Sequence, residues 1–438
     1  MSKRNLILLV ILLFILALVA YVARAPRLEV TPNTPTGSNF FSNFFSNFPR
    51  IIRNENNGSA VNLDGEKIED DVVIENLSLR KVSSVPVAGF GILQKEVYSY
   101  VEAPTKEDLE GSEKENSKPT PPSTEYRNTV RYIAKANGNI YQSESGDNEE
   151  RKYSELVMPG IHEAFLGNNG AAVIMRYLAP ETEIIETFIR ELPKEVLGAD
   201  VSTEGKIDGN FLPQQVSDLS MTPDGSSIFY ITKTNTGVSG ITASAAGTNK
   251  TQIFESTYSE WLTEWPQKDL VTLTTKPSAQ VPGYMYSVNP NLKDFNKILG
   301  GIRGLTTRTS PNGKSVLFAD ETLKLSVFNR ETGESKNLFV NTLPEKCAWG
   351  SSSEVVFCGI PQFVPFGSYP DHWYKGQASF IDNIWQINTL TGETTMLVNP
   401  TNLVGESIDV IKPLVSQDGA YLYFINKKNS FLWELRLR

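Results

Sequence analysis

Histidine and cysteine are almost missing from this chain: two of each occur in 438 residues. Zinc, haem and iron–sulfur centres take most of their ligands from these residues, so that chemistry is set aside first. No DxDxDG-type calcium loop is present either, and no metal or cofactor is expected. A clustered excess of Lys and Arg is also lacking. The 41 basic residues face 50 acidic ones, a net charge of -9. That balance argues against a nucleic-acid partner, because phosphate contacts require the opposite one. GxSxG, Walker, HExxH and dinucleotide-binding sequences are all absent, which removes the activities that depend on those local motifs.

What the chain does contain is a repeat. LSMTPDGSSIFYIT (219–232), TRTSPNGKSVLF (307–318) and PLVSQDGAYLYF (413–424) share an apolar lead-in, a small polar residue, an Asp-Gly or Asn-Gly turn and an alternating β-rich run. Asp-Gly and Asn-Gly supply the positive φ that tight hairpins need, and Val, Ile, Tyr and Phe suit the flanking strands. About seven such units follow one another at a spacing of about 45–50 residues, each with three or four strands. No helical periodicity of useful length occurs beyond the first 27 residues. The expected fold is therefore all-β, a β-propeller of about seven blades of antiparallel strands. A ring of blades leaves only short, protected strand edges. The early strand around 87–91 is expected to close the ring by pairing with the last blade.

Residues 1–27 read as one N-terminal transmembrane helix. Ser2, Lys3 and Arg4 precede an uncharged run of about 17 residues, Leu6 to Val22, at the short end of what spans a bilayer. Pro26 directly follows the one small-x-small cleavage pattern, which favours an uncleaved signal-anchor. The expected topology is a single pass with the N-terminus cytoplasmic and the propeller outside the cytoplasm. Residues 28–76 read as a flexible linker that contains the repeat SNFFSNFFSNF at 38–48. Residues 77–438 form the propeller, with a disordered insertion at about 102–125 that is rich in Pro, Lys, Glu and Ser.

SPNGKSVLF followed by VFNRETGE resembles the TolB-like and WD-repeat-like propeller repeats, although Gly-His and Trp-Asp pairs are absent. Together with VPVAGF, VRYIAKANGNIY, EWLTEWPQKDLVTLTTKPSAQVPGY and LPEKCAWG, it resembles a family of membrane-anchored proteins from small-genome bacteria of the candidate phyla. The resemblance covers about residue 85 to the C-terminus. It implies the propeller and the anchor and is silent as to activity.

Two constellations stand out. Cys347 and Cys358 flank a hairpin symmetrically, which suits either a cross-strand disulfide outside the cytoplasm or two buried thiols. The loop PQFVPFGSYPDHWYKGQASF (361–380) gathers Phe366, Tyr369, Asp371, His372, Trp373 and Tyr374, with Phe363 beside them. Amphipathic aromatics next to a carboxylate suit a partner-binding loop, and they equally suit a loop that buries its own rings. Trp261 and Trp265 are expected to pack between strands. The function expected is non-enzymatic, an envelope interaction module for a protein, peptide or glycan. The alternatives are an envelope glycan lyase or hydrolase with carboxylates at the central channel, and an assembly factor for envelope complexes. Three or more charged side chains converging at one channel mouth would favour the enzyme, and an apolar plug the binding module.

Overall fold

The structure, a computed structural model, describes residues 78–98, 123–155, 158–179, 184–193 and 209–438. The expected anchor at 1–27, the linker and most of the insertion lie outside these residues. No helix among the described residues is long and apolar enough to cross a membrane.

Seven four-stranded antiparallel sheets make the seven blades of a propeller. Their innermost strands are Val87–Tyr98, Ile161–Gly167, Val216–Met221, Trp261–Gln267, Thr306–Thr309, Cys347–Trp349 and Val410–Val415 for blades 1 to 7. Six blades are consecutive in sequence. The seventh is composite, because Leu79–Lys81 supplies its outermost strand by pairing with Leu432–Arg436. The ring is thus closed by an earlier strand than expected. Val87–Tyr98 instead begins blade 1, where it pairs with Thr124–Ala134. This ladder runs out to Tyr98 and Thr124, so the ends of the insertion leave from adjacent positions and the strand already includes 124 and 125.

The repeated turns are built alike. In blade 3 the Asp224 carboxylate accepts from the Thr222 hydroxyl at 2.6 Å and the Ser226 amide at 3.0 Å. Asn312 does the same for Ser310 and Lys314, and Asp418 for Ser416 and Ala420. Gly225, Gly313 and Gly419 follow with φ of 66°, 67° and 73°, a conformation that costs glycine nothing. Thr222 and Ser227 exchange the closing bonds, so each loop holds four residues and the side-chain oxygen replaces a missing backbone partner.

The core lies between the blades. Each of the seven interfaces has its own apolar cluster: Phe229, Ile231, Val271 and Leu273 between blades 3 and 4, for example, and Tyr132, Phe90, Tyr423 and Ile425 between blades 7 and 1. Trp261 and Trp265 are buried in the first of these, in keeping with a packing role. An eighth cluster, Leu323, Leu343, Tyr369, Trp373 and Phe380, belongs to no blade interface. It lies under the long loop of blade 6.

Candidate functional site

Antiparallel blades fix which segments share a face. Where the innermost strand starts, the second strand ends and the third begins, so the loop between strands two and three lies at the same mouth of the channel as every strand start. In blade 6 that loop is 362–381, and it caps this mouth. Within it is a short helix, Asp371–Tyr374. Asp371 accepts from the Ala279 amide of blade 4 at 2.7 Å. Tyr369 and Trp373 pack on Leu323 of blade 5 and on Leu343. From blade 7, the Lys427 ammonium donates to the Trp373 carbonyl and lies over the indole ring. His372 stays within the loop and accepts from the Ser368 amide at 3.3 Å.

The six residues expected at a partner-binding loop therefore divide. Tyr369 and Trp373 are buried beneath the cap. Tyr374 points into the channel, where its hydroxyl donates to Glu345. Asp371 and His372 fasten the loop. Phe366 is fully exposed, and so is most of Phe363, at 75%. The cap buries its lower rings and presents two others to solvent.

Below the cap, the strand starts carry charge. The third residue of the innermost strand is Glu163 in blade 2, Asp218 in blade 3 and Lys412 in blade 7, while blade 1 has Gly89 there. Lys412 reaches past Gly89 to Glu163 at 2.8 Å, and Arg176 meets the same carboxylate at 2.7 Å. Asp218 accepts from the Thr263 amide of blade 4 at 2.6 Å, and Glu264 from the Thr309 amide of blade 5 at 2.8 Å. Arg308 stands 3.5 Å from Glu264. Most of these carboxylates are thus used to join one blade to the next, while Glu345 Oε2 and Arg176 Nε are buried with no hydrogen-bond partner.

Burial pushes Asp218 and Glu345 each up to about 7, and for Glu345 it outweighs the Tyr374 hydroxyl. Burial also acts against Glu163, but Lys412 and Arg176 overcome it and hold that group down at about 2. Tyr374 is raised well above the usual tyrosine range, first by burial and then by Glu345, with Asp218 also in electrostatic reach.

Beside it is a dry triad. Lys346, Asp382 and Asp409 are fully buried, with the Lys346 ammonium 2.7 Å from Asp382 and 2.5 Å from Asp409. Asp409 also accepts from Trp373 Nε1, the Ser379 hydroxyl and the Phe380 amide. Gly359 makes the space, since a Cβ there would meet Val410 at 2.7 Å and the Asp382 carboxylate at 2.9 Å. Cys347, next to Lys346, pairs directly across the ladder with Cys358 and is disulfide-bonded to it.

The opposite mouth is open. A cavity of about 720 Å³ lies there, lined by Leu93, Leu166, Met221, Leu414, Gln94 and Asn128 among others. A smaller groove of about 400 Å³ between the outer parts of blades 3 and 4 is edged by Tyr258, Tyr284 and Phe295. Among the described residues no group of three or more His, Cys, Asp and Glu is arranged to hold a metal ion.

Sequence reasoning did not single out Glu163, Asp218, Glu345, Lys346, Asp382 or Asp409. A weak signal exists for Glu163, Asp218 and Glu264, a carboxylate at the third or fourth place of the innermost strand, repeated one blade apart.

No protein-family model matches the chain, and no curated protein matches it in sequence. Among solved structures it is similar to TolB from Acinetobacter baumannii, with 9% identity and a TM-score of 0.37, covering 69% of this chain and 60% of that one. An oligogalacturonate lyase from Vibrio parahaemolyticus is similar at 12% identity and a TM-score of 0.45, over 83% of this chain and 97% of that one. An oligogalacturonate lyase in complex with manganese is similar at 11% identity and a TM-score of 0.47, over 83% and 96%.

Proposed function

We propose that this protein is a membrane-tethered, extracytoplasmic propeller acting as a non-enzymatic interaction module of the cell envelope, with the capped face turned to a protein partner. The observation that carries this reading is the pair Phe363 and Phe366, held in solvent on a loop fastened to blades 4, 5 and 7. Exposed aromatic rings on a fixed loop bind with little ordering cost. The ion-paired and amide-bound carboxylates below leave little charge free for a substrate. The apolar run at 6–22 supports a membrane tether, and the disulfide supports an oxidising compartment.

The test is crosslinking capture from native membranes with the tagged full chain, beside a Phe363→Ser/Phe366→Ser variant. A partner held by the wild type and lost by the variant is the expected result. Equal capture by both, or none by either, overturns the reading. Protease added to intact cells should remove the propeller, and a protected propeller would refute the topology.

Two observations favour a second reading, a glycan lyase or hydrolase. Charged side chains from more than three blades converge at the capped mouth, the arrangement expected of an enzyme, although most of them are ion-paired or amide-bound. Asp218 and Glu345 are both poised near neutrality on different sides of the lumen, with Tyr374 in reach of each. Release of oligosaccharides from isolated envelope glycans, abolished by Asp218→Asn, would establish it. An assembly factor would instead co-purify stably with a multiprotein complex.

A further inference from the structure

The Lys346–Asp382–Asp409 triad has a composition that ion pairing does not balance. One ammonium faces two carboxyl groups, all fully enclosed, and Asp382 Oδ1 has no hydrogen-bond partner at all. A buried unpartnered carboxyl oxygen is costly unless it carries a proton or has a chemical use. The two aspartates are differently equipped. Asp409 Oδ2 sits among three donors, the Phe380 amide at 3.0 Å, the Ser379 hydroxyl at 3.1 Å and Trp373 Nε1 at 3.1 Å, the last shared with Oδ1 at 3.2 Å. Its other oxygen abuts Lys346 Nζ at 2.5 Å. Donors fixed around one oxygen of a carbonyl carbon, with a nucleophile against the other side, are what stabilises charge in acyl transfer. The Trp373 and Phe380 rings stand 5.3 and 5.1 Å from the ammonium and keep water out.

We infer that Lys346 and Asp409 are the site of a spontaneous intramolecular amide bond that joins the start of blade 6 to the start of blade 7, with Asp382 as the proton shuttle. Lys346 Nζ passes a proton to Asp382 Oδ2, 2.7 Å away, and attacks Asp409 Cγ. The new N–C bond gives a tetrahedral centre whose Oδ2 is held by Phe380, Ser379 and Trp373. A second proton leaves the nitrogen, both protons reach Oδ1 through Asp382, and the C–O bond breaks to release one water. The ammonium and carboxylate charges cancel, so no oxidant, reductant or activating group is needed. Burial pushes Asp382 upward, towards the protonated form a shuttle needs. Burial acts the same way on Asp409, but the Lys346 ammonium, followed by the Phe380 amide and Trp373, outweighs it and holds that group down.

The full-length chain decides this after denaturation, disulfide reduction and tryptic digestion. The expected product is a branched peptide joining the Lys346 and Asp409 segments, one water lighter than the two linear peptides, with trypsin unable to cut after Lys346. Asp382→Asn should lose the branch, Lys346→Arg should lose it, and Asp409→Asn should give the same branched mass with ammonia leaving instead of water. Wild-type protein that has been kept folded for days and still yields only linear peptides, cleaved after Lys346, overturns the proposal without reference to any variant. A branch to Asp382, or one that persists in Asp382→Asn, overturns the assigned roles.

Discussion

The two mouths of the channel solve opposite problems. At the capped mouth the strand starts carry Glu163, Asp218, Glu264, Arg308 and Lys412, and the cap adds Tyr374 above them. At the open mouth the strand ends present Leu93, Leu166, Met221 and Leu414 around a cavity of about 720 Å³. Apolar side chains there need only their neighbours and tolerate water on one side. Charged ones at the other end need partners fixed to fractions of an ångström, and the cap helps by holding Asp409 through Trp373 and Glu345 through Tyr374. The comparison teaches that the charged mouth is satisfied mainly from blade to blade, with the long loop supplying the partners that remain, for Glu345 and Asp409.

Four changes would break or sharpen this contrast. The largest effect is expected from Lys346→Met, which takes from Asp382 and Asp409 their buried cation and with it the amide bond inferred above. A loss of about 3–5 kcal/mol should appear in chemical denaturation. Trp373→Ala should cost about 3–5 kcal/mol by the same measurement. Hydrogen exchange should then show the loosening confined to the loop and the strand starts, with the open mouth unchanged.

The third concerns pH. The Asp218 carboxyl is held at about 7 in the fold, above its ordinary value. Its contribution to stability is therefore complete below about pH 4 and is lost as pH rises through about 7. Asp218→Asn should gain on the wild type across that window, by no more than about 4 kcal/mol. Glu163, held at about 2, has the opposite sign: its stabilisation is present above its unfolded value and disappears as pH falls through about 2. Urea midpoints taken from acid to neutral pH would separate the two, and an Asp218→Asn curve parallel to the wild type would contradict the enclosed carboxyl. The smallest effect belongs to Leu414→Lys at the open mouth, where the side chain is 37% exposed. A change within about 0.5 kcal/mol is expected there, and a larger one would show that the mouths are alike after all.

The blades were legible because their signals are local. SPNGK and SQDGA carry the turn in four residues, and the alternation beside them reveals which face is buried. The cap was legible as a loop but not as a lid, since Trp373 and Tyr369 look the same in sequence whether they face a partner or Leu323. Closure was misread because Leu79–Lys81 is three residues long, with a single buried side chain, and gives no pattern to recognise. The triad was invisible for another reason. Lys346 and Asp409 are 63 residues apart, and neither interrupts a repeat in a way that marks it.

That short first strand also sets the order of assembly. Leu79 finds its ladder partner in Leu435, so the earliest strand among the described residues waits for nearly the last. Until then the face of blade 1 that holds Phe90 and Tyr132 has nothing to pack against, because its partners Tyr423 and Ile425 are not yet synthesised. Every nascent form of this chain is an open arc with a sticky end, and contacts of such long separation are slow to form. The interval between the emergence of blade 1 and the completion of blade 7 is the stage at which its apolar face stands most exposed to wrong partners.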